Sequence, residues 1–323
     1  MWRRLRAGLR KFCAVLFIGM MATAPVPTDA AAKQQCADDS TAPLCVPKHL
    51  PPIRTKAVSE AVFSPYVESW SDLDLRGLHG ASVTLAFLLS RDGKAAWDGT
   101  MPLDHWLARA KASGKNLVLS FGGAGGTELA LDHTHPKILA RQYLRAATTY
   151  GAARLDFDIE GWSVTDAESV GRRNAALKLV QDELPGVKLQ YTLPVMPHGL
   201  DAACLRLLRD AKAQGVRLDA VNVMAMNYGA EYRGDMGQYA MQAARATRNQ
   251  LRDLGLASTG VGITPMIREN DVKTNVFTVQ DAREVANFAA TTPWVRFVGF
   301  WSAGRDPTGE FGKVFAARLP PPQ

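Results

Sequence analysis

From about residue 60 onward, short apolar runs alternate with amphipathic stretches. Eight runs read as strands: "AVFSPYV" (61–67), "ASVTLAFLL" (81–89), "KNLVLSFGG" (115–123), "ARLDFDIEG" (153–161), "VKLQYTLPV" (187–195), "LDAVNVMAMNY" (218–228), "GVGITPM" (260–266) and "VRFVGFWS" (295–302). Between them, apolar residues recur at helical spacing, as in "LDHWLARAKASG", "HPKILARQYLRAATTYG", "DAESVGRRNAALKLVQDELPG", "DAACLRLLRDAKAQG", "MGQYAMQAARATRNQLRDLG" and "TVQDAREVANFAATT". Several of these end in Gly, a helix stop. Strands alternating with helices predict βαβ units on a parallel sheet, and eight repeats predict an α/β fold of the (β/α)8 TIM-barrel class, a single domain over 60–323. A doubly wound open sheet is the alternative, but no Gly-rich dinucleotide fingerprint supports it.

One run carries unusual chemistry. In "ARLDFDIEGW" (153–162), Asp156, Asp158 and Glu160 alternate with Leu155, Phe157 and Ile159. On a strand, period two sets the three acids on one face, neighbours roughly 6–7 Å apart. Close carboxylates repel, and burial pushes at least one of them to hold its proton. A chain accepts that cost where the acids are used; a solvated strand face or an acid-built metal site are the alternatives.

The N-terminus follows a different rule. "MWRRLRAGLRK" is basic, "FCAVLFIGMMATA" apolar, and "TDAAAK" offers small residues for cleavage, the order of a secretory signal peptide over 1–30. The apolar run is shorter than the roughly 20 residues that span a bilayer. A secreted or periplasmic protein is therefore expected, with no membrane association once the leader is gone. Loss of five Lys/Arg and Asp29 with the leader takes the formal charge from +7 to +3. No basic run interleaved with aromatics remains, which disfavours nucleic-acid binding. Residues 31–59 read as a Pro-rich lead-in, where Cys36 and Cys45 suit a disulfide in an oxidising compartment. Cys204, inside a helical stretch, reads as a small buried apolar residue.

In a barrel, chemistry gathers at the C-terminal strand ends. Gly122 and Gly123, the acid series, Met226 and Tyr228, and Trp301 all fall there. With these residues the chain resembles the family 18 glycoside hydrolases, the chitinase family. Ser120-Phe121-Gly122-Gly123 resembles the family's S-x-G-G motif on the third barrel strand. Asp156, Asp158 and Glu160 match its D-x-x-D-x-D-x-E motif on the fourth, except that Ala153 replaces the first acid. Tyr228 matches a tyrosine closing the sixth strand, though Gly229 follows where many members carry Asp or Asn. Trp301 matches the tryptophan of the eighth.

The resemblance implies hydrolysis of β-1,4-linked N-acetylglucosamine with retention, the substrate's 2-acetamido oxygen acting as nucleophile. Glu160 would be general acid and then base. Asp158 would accept from the acetamido N–H, Asp156 would share a proton with Asp158, and Tyr228 would donate to the acetamido oxygen. Trp301 would stack on the sugar. Met226, Met224, Gly122, Gly123 and Tyr66 complete the expected substrate-binding set. No cofactor and no metal are expected, the partners being chitin or N-acetylglucosamine oligosaccharides, and the protein a monomer. The family's α+β insertion after the seventh strand has no room in "GITPMIRENDVKTNVFTVQDA" (262–282), so an open groove and internal cleavage are expected.

Alternatives stay open. The same chemistry serves an endo-β-N-acetylglucosaminidase acting on N-glycans or peptidoglycan, and a non-catalytic chitin-binding lectin shares the fold, although lectins of this type generally lack the acid found at Glu160. "SFGGAGG" could cradle phosphate, but no Lys-Ser/Thr follows. Met224, Met226 and Trp301 could be plain core, and Asp132, His133 and His135 could hold a metal.

Overall fold

A computed structural model describes residues 61–319. The leader, the 31–59 lead-in and the Cys36–Cys45 pairing lie outside the described residues. The first barrel strand comes in two pieces, β1 (Val62–Phe63) and β2 (Tyr66–Glu68). β3 (Ser82–Arg91), β4 (Lys94–Trp97), β5 (Asn116–Gly122), β6 (Arg154–Asp158), β7 (Lys188–Pro194), β8 (Ala220–Ala225), β9 (Gly260–Pro265), β10 (Arg268–Glu269), β11 (Val276–Phe277) and β12 (Val295–Val298) follow. The sheet runs β1-β12-β9-β8-β7-β6-β5-β3-β2, every one of these pairings parallel. Since β1 and β2 are one stretch of chain at both ends of that order, the curled sheet closes on itself. At the join, Ser64 N–H donates to Val298 O at 2.9 Å and Thr84 N–H to Pro65 O at 2.9 Å.

The helices are α1 (Leu107–Ala112), α2 (Leu129–Asp132), α3 (Pro136–Tyr150), α4 (Trp162–Thr165), α5 (Ala167–Glu183), α6 (Ala202–Ala213), α7 (Met236–Asp253), α8 (Val279–Thr291) and α9 (Glu310–Arg318). After the first barrel strand stands only a 3-10 turn, Leu75–Gly77. Helix starts follow the sequence: Asp166, Asp201 and Asp235 accept from Ser169, Cys204 and Gln238 N–H, and Thr278 with Asp281 forms a capping box. Cys204 is buried, as its apolar reading requires. Among the described residues no helix is long and apolar enough to cross a membrane.

Two hairpins escaped the apolar pattern. β3 outruns the barrel and folds back antiparallel on β4 through Asp92-Gly93, both at positive φ. Asp-Gly between two strand-like runs is a hairpin signal that "LLSRDGKAAW" does carry. β10 and β11 are only two residues each, below what alternation can reveal.

The alternation in the strands separates two layers. Leu155, Phe157, Leu119, Phe121, Leu189, Tyr191, Val221 and Val223 face the helices and are buried there. The other parity faces the barrel interior, which is largely polar. Along β6 that face stacks Arg154, Asp156 and Asp158 from bottom to mouth. Arg154 pairs with Asp219 at 2.6 Å and donates to Gln190 Oε1 at 2.9 Å, while Gln190 Nε2 donates to Asp156 at 3.0 Å. A polar column thus runs up the barrel to the acid series.

Candidate active site

Asp156 is fully buried in the interior. Its two oxygens accept four hydrogen bonds: from Ser120 Oγ at 2.6 Å, Thr192 Oγ1 at 2.6 Å, Tyr66 Oη at 2.9 Å and Gln190 Nε2 at 3.0 Å. Burial raises its pKa, and these four donors oppose the rise. The donors are themselves tied together. Asn222 Nδ2 donates to Thr192 at 2.9 Å and to Thr264 at 2.8 Å. Gly262 is what admits Asn222, since a Cβ there would lie 2.6 Å from Asn222 Oδ1.

Asp158, 4% exposed, ends β6 one layer higher. Its carboxyl is hydrogen-bonded to that of Glu160. Burial first, then the charges of Glu160 and Asp156, raise Asp158 well above the ordinary carboxylate range. Glu160 is half-buried at the mouth; burial raises it too, against the lowering effect of the bond from Asp158. The expectation that Asp156 and Asp158 share a proton is not what this geometry displays: Asp156 is saturated by four other donors, and Asp158 turns to Glu160. One oxygen of Asp158, Oδ1, is buried without a donor among the described residues.

A stability consequence follows from this. Below the unfolded pKa, about 4, Asp158 is protonated whether the chain is folded or not. Above it the unfolded chain releases the proton that the folded one retains, so stability falls as pH rises toward the raised folded pKa. Asp158→Asn removes that loss. Its Tm is expected to exceed the wild-type Tm at pH 7, the gap closing at pH 4 and below, as thermal melts across pH would show.

The S-x-G-G run supports the acids through its backbone. A Cβ on Gly122 (φ +99°) would lie 2.0 Å from Asp158 O, and Gly123 N–H donates to that same oxygen at 2.9 Å. A Cβ on Gly123 would lie 2.7 Å from Phe87, whose ring stacks on Trp301 with centroids 5.4 Å apart and planes at 16°. Gly122 and Gly123 thus act by close approach. Trp301 is half-buried at the end of the eighth barrel strand, its N–H donating to Pro265 O at 2.8 Å and its O accepting from Ile267 N–H at 3.0 Å. Met224 and Met226 are half-buried where β8 meets the mouth.

Tyr66 departs from its expected place. Tyr66 is 1% exposed and lies beneath the acids, donating to Asp156, so it supports the site from below instead of lining its surface. Tyr228 has a buried hydroxyl with no hydrogen-bond partner among the described residues. It is 3% exposed and packs edge-on to Tyr239 of α7, 6.1 Å between centroids. Burial alone raises its hydroxyl. β8 ends at Ala225, and Asn227 at φ +53° turns the chain out of strand geometry before Tyr228. Asn275 then clamps the turn, accepting from Tyr228 N–H and donating to Gly229 O and Tyr232 O. Gly229 at φ +121° is a conformation an acidic side chain rarely adopts.

Sequence reasoning passed over Gln190, Thr192, Asn222 and Thr264, lone polar residues inside apolar strands whose interior parity was their only signal. It also passed over Glu68, which ends β2 at the mouth and accepts from Ser302 Oγ. The alternatives for "LDHTHPK" resolve into local roles: Asp132 accepts from Ser90 Oγ and Gly93 N–H, and His135 caps α3.

No family model matches the chain. A curated protein of Escherichia coli (strain K12), "Probable bifunctional chitinase/lysozyme", is 34% identical over 286 residues, 79% of this chain and 32% of its own length. "Endochitinase 11" of Metarhizium anisopliae is 34% identical over 280 residues, 78% of this chain and 53% of its own. Active domain 2 of a Pyrococcus furiosus chitinase, solved as catalytic-site mutants, superposes with a TM-score of 0.71 at 29% identity, covering 82% of this chain and 97% of that domain. The chain belongs to the family 18 glycoside hydrolases, the chitinase family. It spans about a third to about half of the length of the curated family members it matches. A family 18 chitinase of Pseudoalteromonas aurantia shares the fold at 16% identity and a TM-score of 0.56.

Proposed function

We propose that the protein hydrolyses the β-1,4 linkages of chitin and N-acetylglucosamine oligosaccharides with retention, the substrate's own acetamido group serving as nucleophile. The observation that carries this reading is the hydrogen-bonded Asp158–Glu160 pair above a saturated Asp156. A protein nucleophile would need a second carboxylate about 5 Å from the acid and across the sugar ring. Asp158 instead lies beside Glu160, two residues before it at the end of β6, so the attacking oxygen is left to the substrate. Glu160, its pKa raised, protonates the glycosidic oxygen and later takes a proton from water. Asp158, beside Glu160, accepts the acetamido N–H through its carboxyl, aiming the acetamido oxygen at the anomeric carbon. Trp301, steadied by Phe87, floors the sugar. Complexes of the Pyrococcus furiosus domain with chito-oligosaccharides make the same ligand class the natural one to test on this protein.

Export through the N-terminal leader belongs to this proposal. So does internal cleavage: only the β10–β11 hairpin stands between β9 and α8, which favours an open groove. The lysozyme half of the Escherichia coli relative's name keeps peptidoglycan as a second substrate to assay.

The test is acetylation. A fully N-acetylated oligomer is expected to be cleaved, and its fully deacetylated counterpart to remain intact under the same conditions. Comparable cleavage of both would rule out the acetamido nucleophile.

A further inference from the structure

Among the described residues the large exposed apolar side chains are Trp70, Trp162 and Val276, and Trp162 at 69% is the most exposed. A single exposed apolar side chain is ordinary on a protein surface. The place of Trp162 is not. It stands two residues beyond Glu160 at the mouth end of β6 and opens α4. Gly161 at φ +53° makes the turn between them, and Ser163 N–H donates to Glu160 O at 3.1 Å while Val164 N–H donates to Gly161 O at 3.3 Å. The backbone carrying this indole is thereby tied to the backbone carrying the acid.

Barrel order places the strand end that carries Trp162. From β6 to β12, which leads into Trp301, the order is β6-β7-β8-β9-β12 one way and β6-β5-β3-β2/β1-β12 the other. Trp301 and Trp162 therefore rise from opposite sides of the mouth, with the carboxyl of Glu160 on the Trp162 side. A chain whose ring lies on Trp301 presents its glycosidic oxygen to Glu160, and the next ring continues past the acid toward Trp162. Trp70, 59% exposed just after β2, stands on the Trp301 side.

We propose that Trp162 is the stacking platform for the sugar on the leaving-group side of the scissile bond, fixing the direction in which the polymer crosses the mouth. This rests on the hydrolase reading above. Flat indoles suit the apolar faces of pyranose rings, and a Trp anchor buried by its ligand commonly contributes more than a tenfold change in affinity.

Two substrates separate the two sides of the bond: an N-acetylglucosamine hexamer, and β-chitobiosyl fluoride, whose leaving group is a single atom. Trp162→Ala is expected to lower kcat/KM on the hexamer about tenfold and to redistribute its cut positions, while the fluoride rate stays within about twofold of wild type. Trp162→Phe is expected to recover most of the hexamer rate. An unchanged hexamer rate in Trp162→Ala overturns the platform. So does an equal fall on both substrates, which would mean that Glu160 itself had moved. Wild-type protein inert toward both substrates overturns the hydrolase reading, and the platform with it.

Discussion

Glu160→Gln is expected to lower kcat on an N-acetylglucosamine hexamer by about 10²–10⁴-fold while leaving oligosaccharide affinity within a few-fold of wild type. The two effects separate because of what the side chain touches. Glutamine keeps the shape and a hydrogen-bonding group beside Asp158, so the pair at the mouth stays in place. What it lacks is a transferable proton. The same proton sets the pH dependence. Burial raises the Glu160 pKa, so the acid stays loaded further toward neutrality than an exposed glutamate would. The wild-type rate should fall as pH rises through that raised pKa, and the residual rate of the variant should lack this alkaline limb. Reducing-end assays across pH, with calorimetric titration of the hexamer into the variant, measure both. A variant that turns over at near wild-type rate would remove Glu160 as the acid.

Gly122→Ala is the second large effect and acts through the backbone. The added methyl carbon would lie 2.0 Å from the carbonyl oxygen of Asp158, at a φ of +99° that side-chain-bearing residues rarely adopt. Left-handed backbone alone costs about 1–2 kcal/mol, and forcing strands apart about 1–3 kcal/mol more. A loss of about 2–5 kcal/mol in unfolding free energy is expected from denaturant melts. Activity should fall further than stability accounts for, since β5 pushed off β6 also moves Ser120 and the carbonyl end of Asp158. Full activity in the folded fraction would show that this approach does not position the acids.

The barrel and the acid series were legible in the sequence for a shared reason. Interior and exterior alternate with period two in every strand, so Leu155 and Phe157 declare the helix-facing side while Asp156 and Asp158 declare the interior. The same alternation marks Gln190, Thr192 and Asn222 as interior, but their roles depend on register: Asp156 pairs across to Gln190, and Asp158 to Thr192. Register is set by closure of the whole sheet and is invisible in any one strand. The turn at Asn227 was hidden for another reason: Tyr228 closes a strand-like run, so nothing in the pattern marks the positive φ just before it. Tyr66, by contrast, lay in plain view within "AVFSPYV", yet nothing local tells that its hydroxyl reaches a carboxylate ninety residues onward. Asp92-Gly93 is the case where the signal was present and went unread.

The most direct measurement is a time course of hexamer cleavage by the wild-type protein with the anomeric state of newly formed ends followed by NMR. Retaining catalysis assisted by the acetamido group predicts that fresh reducing ends appear first as β-anomers and mutarotate afterwards. Fresh ends appearing first as α-anomers would mean inversion, and would contradict the roles assigned to Asp158 and Glu160.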